Sequence, residues 1–544
     1  MTYPASFEPS LRKVAETRAY RLTQKIPFMT DEQKKKLLET FHPDFRPQAA
    51  REVKVGSSKG ARAPHELVDL LESRSRVDPA KVDLSQIDYD VDVLVVGAGG
   101  AGDTAAIFAH DGGAKVLLAT KLRSGDSNTI MAEGGIAAAT HANDSPLVHF
   151  VDTLRGGRYS NVPELVEALA NDAPLIIDWL FKQGVGFGRT AEGHFVCHAS
   201  AGQSRLRNHA WSDMTGMEVI RVLRDEIRNR DIEVLEFCPA VEILTDGEGR
   251  CTGALLYSLD TGRYIVVRAK AVILATGGIG RLHIQGFATS NHYGATADGL
   301  VMACRAGAKL VFMDAIQYHP TGTVWPDQLF GLLVSESTRA SGNQLVNVNG
   351  DRYINELETR DYVASGNIRE CQEGRGVQTP AGTVGVWLDT PVLDMLHNEG
   401  WYEKRFPHIF HRFYRFGIDT RKVPILIYPT QHYQNGGILI NAKAECDVAG
   451  LYMAGENSGG VHGRNRLGSN SLTDIFVFGR RAGMNAAVAA KETQSGRLTL
   501  EHLRRYHKEL EEAGIDRGVP SPALLPDYVG QMQKQKPVAV GVEE

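Results

Sequence analysis

The sequence has few cysteines, and none of them are close together. The six are Cys197, Cys238, Cys251, Cys304, Cys371 and Cys446. No C-x-x-C pair occurs, and the smallest gap is thirteen residues. Because iron–sulfur clusters need several cysteine thiolates at short spacing, we expect no such cluster on this chain and interpret the cysteines as scattered buried thiols. If the protein carries out redox chemistry, its electrons must leave through a diffusible partner or another chain.

Long apolar runs and an excess of charge are also missing. No run approaches the ~18 apolar residues of a membrane-spanning helix, so we expect no direct membrane span. The first residues show neither a basic-then-apolar signal pattern nor a twin arginine, which predicts a cytoplasmic protein. Lys and Arg number 60 against 65 Asp and Glu, a formal net charge of −5. That balance predicts no general affinity for nucleic acid.

What the chain has in quantity is length and glycine. Its 544 residues suffice for two or more domains with sizeable cores. Its 56 glycines exceed the usual ~7%. Such a surplus is typical of tight turns and of places where the backbone approaches a ligand closely.

The first glycine-rich stretch is GAGGAG at 97–102. A buried strand is predicted at 91–96 before it, a helix at 101–110 after it, and a second strand at 114–119. In this context GxGxxG is typical of dinucleotide binding, and a glycine turn without a nucleotide is the weaker alternative. Gly97 makes the turn, Gly99 admits a pyrophosphate and Gly102 allows close packing of helix on strand.

The usual acidic residue after the second strand is absent from this motif. Thr120 and Lys121 stand there instead, so a ribose must be held differently.

A second polar, glycine-rich stretch, ENSGGVHGRNRLGSNSL, runs from Glu456 to Leu472. An apolar strand is predicted before it at 450–455 and a helix after it at 471–490. Free N–H groups and the helix dipole favour an anion at such a helix start, and Arg464 and Arg466 add forks for carboxylate or phosphate. The alternative is a surface loop that caps a core helix.

The remaining periodicity predicts an α/β protein with a Rossmann-like domain and an inserted α+β domain. Helices are expected near 162–184 and 217–228, and from Asp298 to about 306. Strands are expected at 233–236, 251–258, 264–268 and 271–278.

We predict five regions from this pattern. They are an N-terminal arm at 1–88, a first nucleotide-domain part at 89–311, a capping domain at 312–422, a second nucleotide-domain part at 423–496 and a helical tail at 497–544. The arm is polar, with one exposed helix near 31–39 capped by Thr30 and another at 64–73. We expect it to be either disordered or wrapped over a partner chain.

Five separated residues suggest chemistry. They are His319 in QYHPTG, Glu336 in VSEST, Arg360 in ETRD, His432 in TQHYQNGG and Arg466 in GRNRLGSNS. Each alone is more often structural, since a lone histidine is usually a core residue and a lone Arg–Asp pair a surface ion pair. Together, two histidines and two arginines supply donors for both ends of a small dicarboxylate, and Glu336 supplies a proton relay.

From about residue 90 to 490 these motifs follow the order seen in a known family. The chain resembles the flavoprotein subunits of succinate dehydrogenase and fumarate reductase, to which L-aspartate oxidase is also similar. The shared motifs are GAGGAG, AEGG, ATGG, ADG, QYHPTG, TRD, HYxxGG and NRLGSNSL.

The resemblance implies an FAD cofactor and assigns roles to residues of the matching motifs. Substrate carboxylates would be bound by His319, Thr321, His432 and Arg466, with Arg360 as catalytic acid and Glu336 behind it. The implied flavin contacts are Gly97, Gly99, Gly102, Lys121, Gly134, Gly135, Asp298, Glu456, Ser471 and Leu472. The implied reaction is hydride transfer from flavin N5 to fumarate, with Arg360 as proton donor, or the reverse.

Departures from the family pattern sharpen these expectations. Asn128 stands where membrane-bound members have a histidine linked covalently to the flavin, so FAD is expected to be non-covalent. In the family, losing that bond disfavours succinate oxidation, so reduction of fumarate or a related enoic acid is favoured. The resemblance also implies that the partner is an iron–sulfur electron-transfer subunit.

Two alternatives remain open: an L-aspartate oxidase or reductase of a substituted dicarboxylate, and an electron-carrying flavoprotein module without a substrate. The working direction, the electron donor and the oligomeric state are not determined by the sequence.

Overall fold

The computed structural model describes residues 3–524, which contain both α-helices and β-strands. The helices are α1 Glu8–Thr23, α2 Asp31–Phe41, α3 His65–Leu71, α4 Gly100–Asp111, α5 Pro146–Gly156, α6 Pro163–Gln183, α7 Thr215–Asn229, α8 Asp298–Arg305, α9 Glu336–Ala340, α10 Arg360–Gln372, α11 Val392–Leu396, α12 Trp401–Arg405, α13 Pro407–Tyr414, α14 Asn470–Glu492 and α15 Glu501–Glu512. The strands are β1 Ala50–Glu52, β2 Arg62–Pro64, β3 Tyr89–Val96, β4 Val116–Ala119, β5 Ile136–Ala137, β6 Cys197–His198, β7 Asn208–His209, β8 Glu233–Leu235, β9 Ala240–Thr245, β10 Cys251–Tyr257, β11 Tyr264–Leu274, β12 Leu310–Val311, β13 Ile316–Thr323, β14 Leu345–Val346, β15 Val377–Gln378, β16 Val384–Leu388, β17 Ile425–Gln434, β18 Gly437–Leu439, β19 Leu451–Met453 and β20 Ser458–Gly459.

The main sheet has seven strands, in the order β8-β4-β3-β11-β10-β9, with β19 also paired to β11. Strands β8, β4, β3, β11 and β19 are parallel, whereas β9 and β10 pair antiparallel. The parallel strands read as apolar runs because helices cover both faces of such a sheet. This arrangement confirms the predicted Rossmann-like α/β domain.

Helix α14 crosses α4 at very short distance. A Cβ at Gly479 would lie 2.6 Å from the Ala101 carbonyl oxygen, and one at Gly483 would lie 2.3 Å from that of Ala105. Only glycine permits this approach. The contact fixes the N-termini of α4 and α14, each of which follows a glycine-rich stretch, on the same side of the sheet.

A second, five-stranded sheet forms the capping region, in the order β13-β17-β16-β14 with β15 on β16. Its core is rich in aromatic side chains, among them Tyr402 of α12, Phe413 of α13 and Phe406 between these helices. Strand β17 belongs to this sheet, although it lies in the part predicted to have returned to the nucleotide domain after residue 422. The pairing of β13 with β17 brings the QYHPTG and HYQNGG motifs together.

The N-terminal arm differs from expectation. It is helical at α1 and α2, contains the β1–β2 pair, and packs on its own chain rather than being disordered. Phe7 and Val14 are buried beside Trp387 of the capping sheet. The buried ion pair of Arg21 with Asp389 is 2.7 Å long. Strands β1 and β2 have only three residues each, which is too short for an alternating pattern to be visible in the sequence.

Other expectations are met or adjusted in detail. Helix α2 begins after Thr30, and α6, α7, α8 and α14 lie within a few residues of their predicted positions. The strands predicted at 264–268 and 271–278 are a single long strand, β11, which pairs with β10 at one end and β19 at the other. Of the predicted tail, residues 525–544 lie outside the described residues. Within residues 3–524, no helix is both long and apolar enough to cross a membrane.

Candidate active site

One cavity of about 640 Å³ lies between the nucleotide domain and the capping region. Of the predicted cofactor and substrate residues, all but two line it. The lining set is Gly97, Gly99, Lys121, Asn128, Gly134, Gly135, Asp298, His319, Glu336, Arg360, His432, Glu456, Arg466, Ser471 and Leu472. The tertiary structure therefore brings together residues that are up to 375 positions apart in the chain.

The two predicted residues that do not line the cavity have structural places behind it. A Cβ at Gly102 would lie 1.6 Å from the Gly97 carbonyl oxygen, so Gly102 serves helix–strand packing. The Thr321 hydroxyl donates to the Val334 carbonyl (2.7 Å) and lies 3.1 Å from Nδ1 of His319. Thr321 thus holds the His319 ring rather than facing a ligand.

Backbone geometry at the nucleotide end fits a dinucleotide. Gly97 has φ +111°, which a residue with a side chain rarely adopts. A Cβ on Gly134 would meet nothing within 4 Å, so the backbone there borders open cavity space. The N-terminus of α4 lies beside this space, and free N–H groups at a helix start bind a pyrophosphate well. These residues fit FAD.

The ribose end replaces the usual carboxylate by an ion pair. Lys121 Nζ lies 2.6 Å from Asp298 Oδ2 and donates to the Thr296 hydroxyl at 2.7 Å. Lys121 also donates to the carbonyl of Ala523 at 2.8 Å, in the segment that follows α15. Both charged groups line the cavity, so they can hold ribose hydroxyls.

Asn128 also lines the cavity. Its amide nitrogen donates to Asn291 Oδ1 at 2.6 Å and to Glu456 Oε2 at 3.2 Å, and its oxygen accepts from the His292 N–H at 2.6 Å. Glu456 also accepts from the backbone N–H of Gln434. Burial raises the pKa of Glu456 to about 7. Asn128 therefore presents a hydrogen-bonded amide to the cavity.

Two arginines converge on one uncharged side chain. Gln317 Oε1 accepts from Arg360 Nη1 at 2.9 Å and from Arg466 Nη2 at 2.8 Å. The Gln317 amide nitrogen donates to the Arg466 carbonyl at 2.7 Å. A neutral bridge orients both guanidinium groups without neutralising them, so their charge stays available to an anion.

Arg466 is buried and its Nε has no hydrogen-bond partner. Burial and the nearby charge of Arg360 lower its pKa to about 9, so it remains charged at neutral pH. A cation held this way gains most from a bound anion.

Glu336 lies behind Arg360 at the start of α9. Its Oε2 accepts from Arg360 Nε at 2.6 Å and from Arg339 at 3.3 Å, and its Oε1 accepts from the Ser200 hydroxyl at 2.9 Å. Burial would raise the pKa of Glu336, but Arg360 and Arg339 outweigh burial and lower it to about 2. Glu336 is therefore an ionised carboxylate held between the side chains of Arg360 and Arg339.

The His319 and His432 rings pack edge-on against each other, and both line the cavity. The ring centroids of His319 and His432 are 5.0 Å apart. Burial, followed by the charge of Arg360, lowers both pKa values well below the ordinary histidine range, so both rings are neutral. His432 Nδ1 lies 2.8 Å from the Ser290 hydroxyl, and His319 Nε2 is buried without a partner. Two neutral rings and two guanidinium groups thus surround one polar pocket.

Comparison with known proteins agrees with this geometry. A family described as an FAD binding domain matches residues 92–472. A CoM/CoB fumarate reductase subunit of Methanothermobacter marburgensis is 37% identical over 78% of this chain and 76% of its own length. The L-aspartate oxidase of a Nostoc species is 38% identical over 85% of this chain and 80% of its own. The structure of Escherichia coli quinol fumarate reductase FrdA superposes with a TM-score of 0.70 at 31% identity, over 79% of this chain and 74% of that one.

This chain belongs to the fumarate reductase/succinate dehydrogenase flavoprotein family. It is an FAD-dependent oxidoreductase of that type, as its motifs predict.

Within this family fold, several residues that shape the site were not identified from sequence. Gln317 sits inside the quoted QYHPTG motif but has no charge to attract notice. Ser335 lines the cavity beside Glu336, and Arg339 is one helical turn after it. Ser200 comes from a distant loop without a recognisable motif. The i, i+3 spacing of Glu336 and Arg339 is the one local signal that could have been used.

Proposed function

We propose that this flavoprotein reduces fumarate, or a closely related enoic dicarboxylate, to the saturated acid. The observation that carries the proposal is the bridging of Arg360 and Arg466 by Gln317, opposite the unpartnered His319 Nε2. These donors can bind both carboxylates of a four-carbon diacid while leaving Arg360 beside its carbon chain.

When bound, and after two-electron reduction by the electron carrier, the flavin would supply a hydride to one alkene carbon. Negative charge then develops towards a substrate carboxylate, where Arg466 and the histidines stabilise it in the transition state. Arg360 donates a proton to the other alkene carbon. Arginine is a weak acid, but the carbanion-like partner is far more basic.

Reprotonation of Arg360 uses the chain behind it. When Arg360 loses its proton, the charge that keeps the pKa of Glu336 low is reduced, and Glu336 becomes a better proton acceptor. Arg339 contacts the same carboxylate oxygen at 3.3 Å, and it extends the relay beyond Glu336.

Reduction of fumarate is favoured over oxidation of L-aspartate by the state of Glu336. An amino acid substrate brings an ammonium group, which needs a carboxylate with free acceptor capacity. Glu336 already accepts from Arg360, Arg339 and Ser200. Oxidation of L-aspartate is the second candidate function, because L-aspartate oxidases are among the relatives. A purely electron-carrying role would not require the bridge that Gln317 forms between Arg360 and Arg466.

Two properties of the working protein follow. We propose that FAD is held non-covalently, since Asn128 cannot form the flavin link. We further propose that an iron–sulfur subunit or another electron carrier supplies the electrons.

The test is flavin re-oxidation. The purified holoprotein is reduced with an artificial low-potential donor and mixed with fumarate, in wild type and in Arg360→Ala. We expect rapid re-oxidation that the substitution slows by about 10²–10⁴-fold, the usual scale of general acid catalysis. Arg415→Ala, which removes an exposed arginine of the capping region, serves as the matched control and should react like wild type.

A wild-type protein that fumarate does not re-oxidise would contradict the proposal. Iminosuccinate-related and substituted enoic acids would then be compared in the same assay. Equal rates in wild type and Arg360→Ala would instead support a carrier without a substrate site.

A further inference from the structure

The N-terminal arm reaches the back of the active site. We call its residues 42–45 the arm segment. Asp44 Oδ2 accepts the backbone N–H of Ile316 at 2.9 Å. The buried His42 ring packs edge-on against Tyr318, with centroids 5.7 Å apart. Ile316 and Tyr318 flank Gln317 in β13, so the arm segment fixes the strand that presents Gln317 to the two arginines.

A second contact comes from the turn between α5 and α6. Arg158, at φ +58°, forms an ion pair with Asp361, whose side chain is 4% exposed. Its Nε lies 3.1 Å from Asp361 Oδ2, and the Arg158 guanidinium lies over the ring of Phe45 at 6.0 Å. Asp361 directly follows Arg360 at the start of α10.

The surroundings of Asp361 determine whether its carboxyl group is charged. Burial would raise the pKa of Asp361, but the charge and hydrogen bond of Arg158, together with the Thr359 hydrogen bond and the His42 ring, hold the pKa below its ordinary value. Asp361 is therefore ionised, and it also accepts from the Thr359 hydroxyl. Just before this turn, the carbonyl of Gly156 at the end of α5 accepts a hydrogen bond of 3.0 Å from Asn465 Nδ2. Asn465 directly precedes Arg466.

We propose that Arg158 and Asp44 are positioning residues for the proton donor Arg360. They act from two sides on the Arg360–Gln317 pair: Arg158 fixes the start of α10 through Asp361, and Asp44 fixes β13 through Ile316. The inference rests on the proposed function, because it concerns proton delivery to the substrate. Neither residue touches the cavity. Displacements of about 1 Å in a reacting group can lower rates by about 10²-fold, so supports behind Arg360 affect the rate directly.

The experiment compares two arm or turn ion pairs of similar build. Arg158→Gln breaks the pair with Asp361, and Thr359 remains as a partner of that carboxylate. Arg18→Gln breaks the 2.8 Å pair with Asp389, and Arg21 remains as a partner there. The second pair joins α1 to the capping region without a contact to Arg360. Arg158→Lys and Asp44→Ala complete the set.

Steady-state fumarate reduction, solvent deuterium isotope effects, FAD content, and the Kd of a non-reacting dicarboxylate, malonate, are measured for each variant. We expect Arg158→Gln and Asp44→Ala to lower kcat by about 10- to 100-fold. KM, the malonate Kd and FAD content should stay within about twofold, since neither substitution removes a side chain that lines the cavity. The isotope effect should rise as proton transfer becomes rate-limiting. Arg158→Lys should restore part of kcat, because it keeps the charge but loses the fork.

The outcomes separate the two proposals. If wild type reduces fumarate and Arg158→Gln loses no more kcat than Arg18→Gln, the positioning role is refuted and the proposed function stands. If wild type reduces no enoic dicarboxylate, the proposed function is refuted and the inference falls with it. A parallel loss of FAD, malonate binding and kcat in Arg158→Gln would show a merely structural role.

Discussion

Gln317 shows how much of this site depends on a side chain without acid–base chemistry of its own. Its amide oxygen accepts from both cavity arginines, while its nitrogen is fixed by the Arg466 carbonyl. Reversing the amide would place two donors against two guanidinium groups. The orientation of the arginines is therefore set by one amide, and glutamate in its place would neutralise the charge that a substrate needs.

Asp103 is a buried carboxyl group whose raised pKa makes the stability of the protein depend on pH. It follows the GAGGAG motif, is 0% exposed, and neither carboxylate oxygen has a hydrogen-bond partner. Burial raises its pKa to about 7. Below the unfolded pKa near ~4 both states are protonated and the aspartate costs nothing. As the pH rises from there to 7, the unfolded state ionises first and the folded state loses stability.

We therefore expect Asp103→Asn to remove this loss. The variant should match wild type near pH 4 and exceed its free energy of unfolding by up to about 4 kcal/mol above pH 7, since each unit of pKa shift is about 1.36 kcal/mol. Denaturant titration of the holoprotein at pH 5 and pH 8 measures the difference. A stability gain that is equal at both pH values would contradict the assignment.

At the scale of elements, helix α2 shows local sequence setting a boundary. The Thr30 hydroxyl accepts from the Gln33 N–H at 3.3 Å, and the Gln33 side chain accepts from the Thr30 N–H at 2.9 Å. This reciprocal capping box satisfies two of the donors that a helix start leaves free. The helix then buries Leu37 and Leu38 against the protein core. Lys34, in the first turn of the same helix, forms an ion pair with Glu358 at 3.4 Å.

Thr30→Ala should loosen the start of α2 by about 1 kcal/mol, the usual value of an N-cap. Hydrogen exchange of the backbone amides at 31–34 should become about fivefold faster. Thr40→Ala is the control, because the Thr40 hydroxyl donates to the Lys36 carbonyl at the far end of the same exposed helix. Equal acceleration in both variants would indicate general fraying instead of a lost cap.

At the scale of the whole molecule, Arg305 joins segments from both ends of the described chain. Its side chain is fully buried and pairs with Glu242 of β9. It also donates to the Ser73 carbonyl at 2.9 Å and to the Ser521 carbonyl at 3.1 Å. Because Lys121 of the cofactor site donates to Ala523, this junction connects the termini to the ribose end of the cavity.

Arg305→Met should lower the free energy of unfolding by about 3–5 kcal/mol, because the buried Glu242 carboxylate loses its arginine and keeps only the Ser75 hydroxyl and the His502 ring as partners. The double variant Arg305→Met/Glu242→Met should recover much of that loss, since two apolar groups replace the ion pair. Denaturant titration of the four proteins of the cycle gives the coupling. A double variant no more stable than Arg305→Met would show that the loss comes from the missing hydrogen bonds to Ser73 and Ser521 and not from the buried charge.

The sequence alone determined the features whose interacting residues are close together in the chain. GAGGAG between an apolar strand and a helix predicts the nucleotide site, because glycine spacing, turn and helix start are all local. The family, the FAD cofactor and the α/β fold follow from such motifs. So does the Thr30 cap, where the hydrogen bonds join residues three apart.

Only the tertiary structure decided what couples these motifs. Gln317, Ser200 and the pair of Arg158 with Asp361 act across 43 to 203 positions of the chain, and no local pattern marks such partners. The packing of the arm on its own chain was not predicted for the same reason: its polar composition predicts poor self-burial, but composition says nothing of the apolar surface that the capping region offers to Phe7 and Val14. Burial and long-range pairing are properties of the folded chain, and they determine which charged groups line the active site.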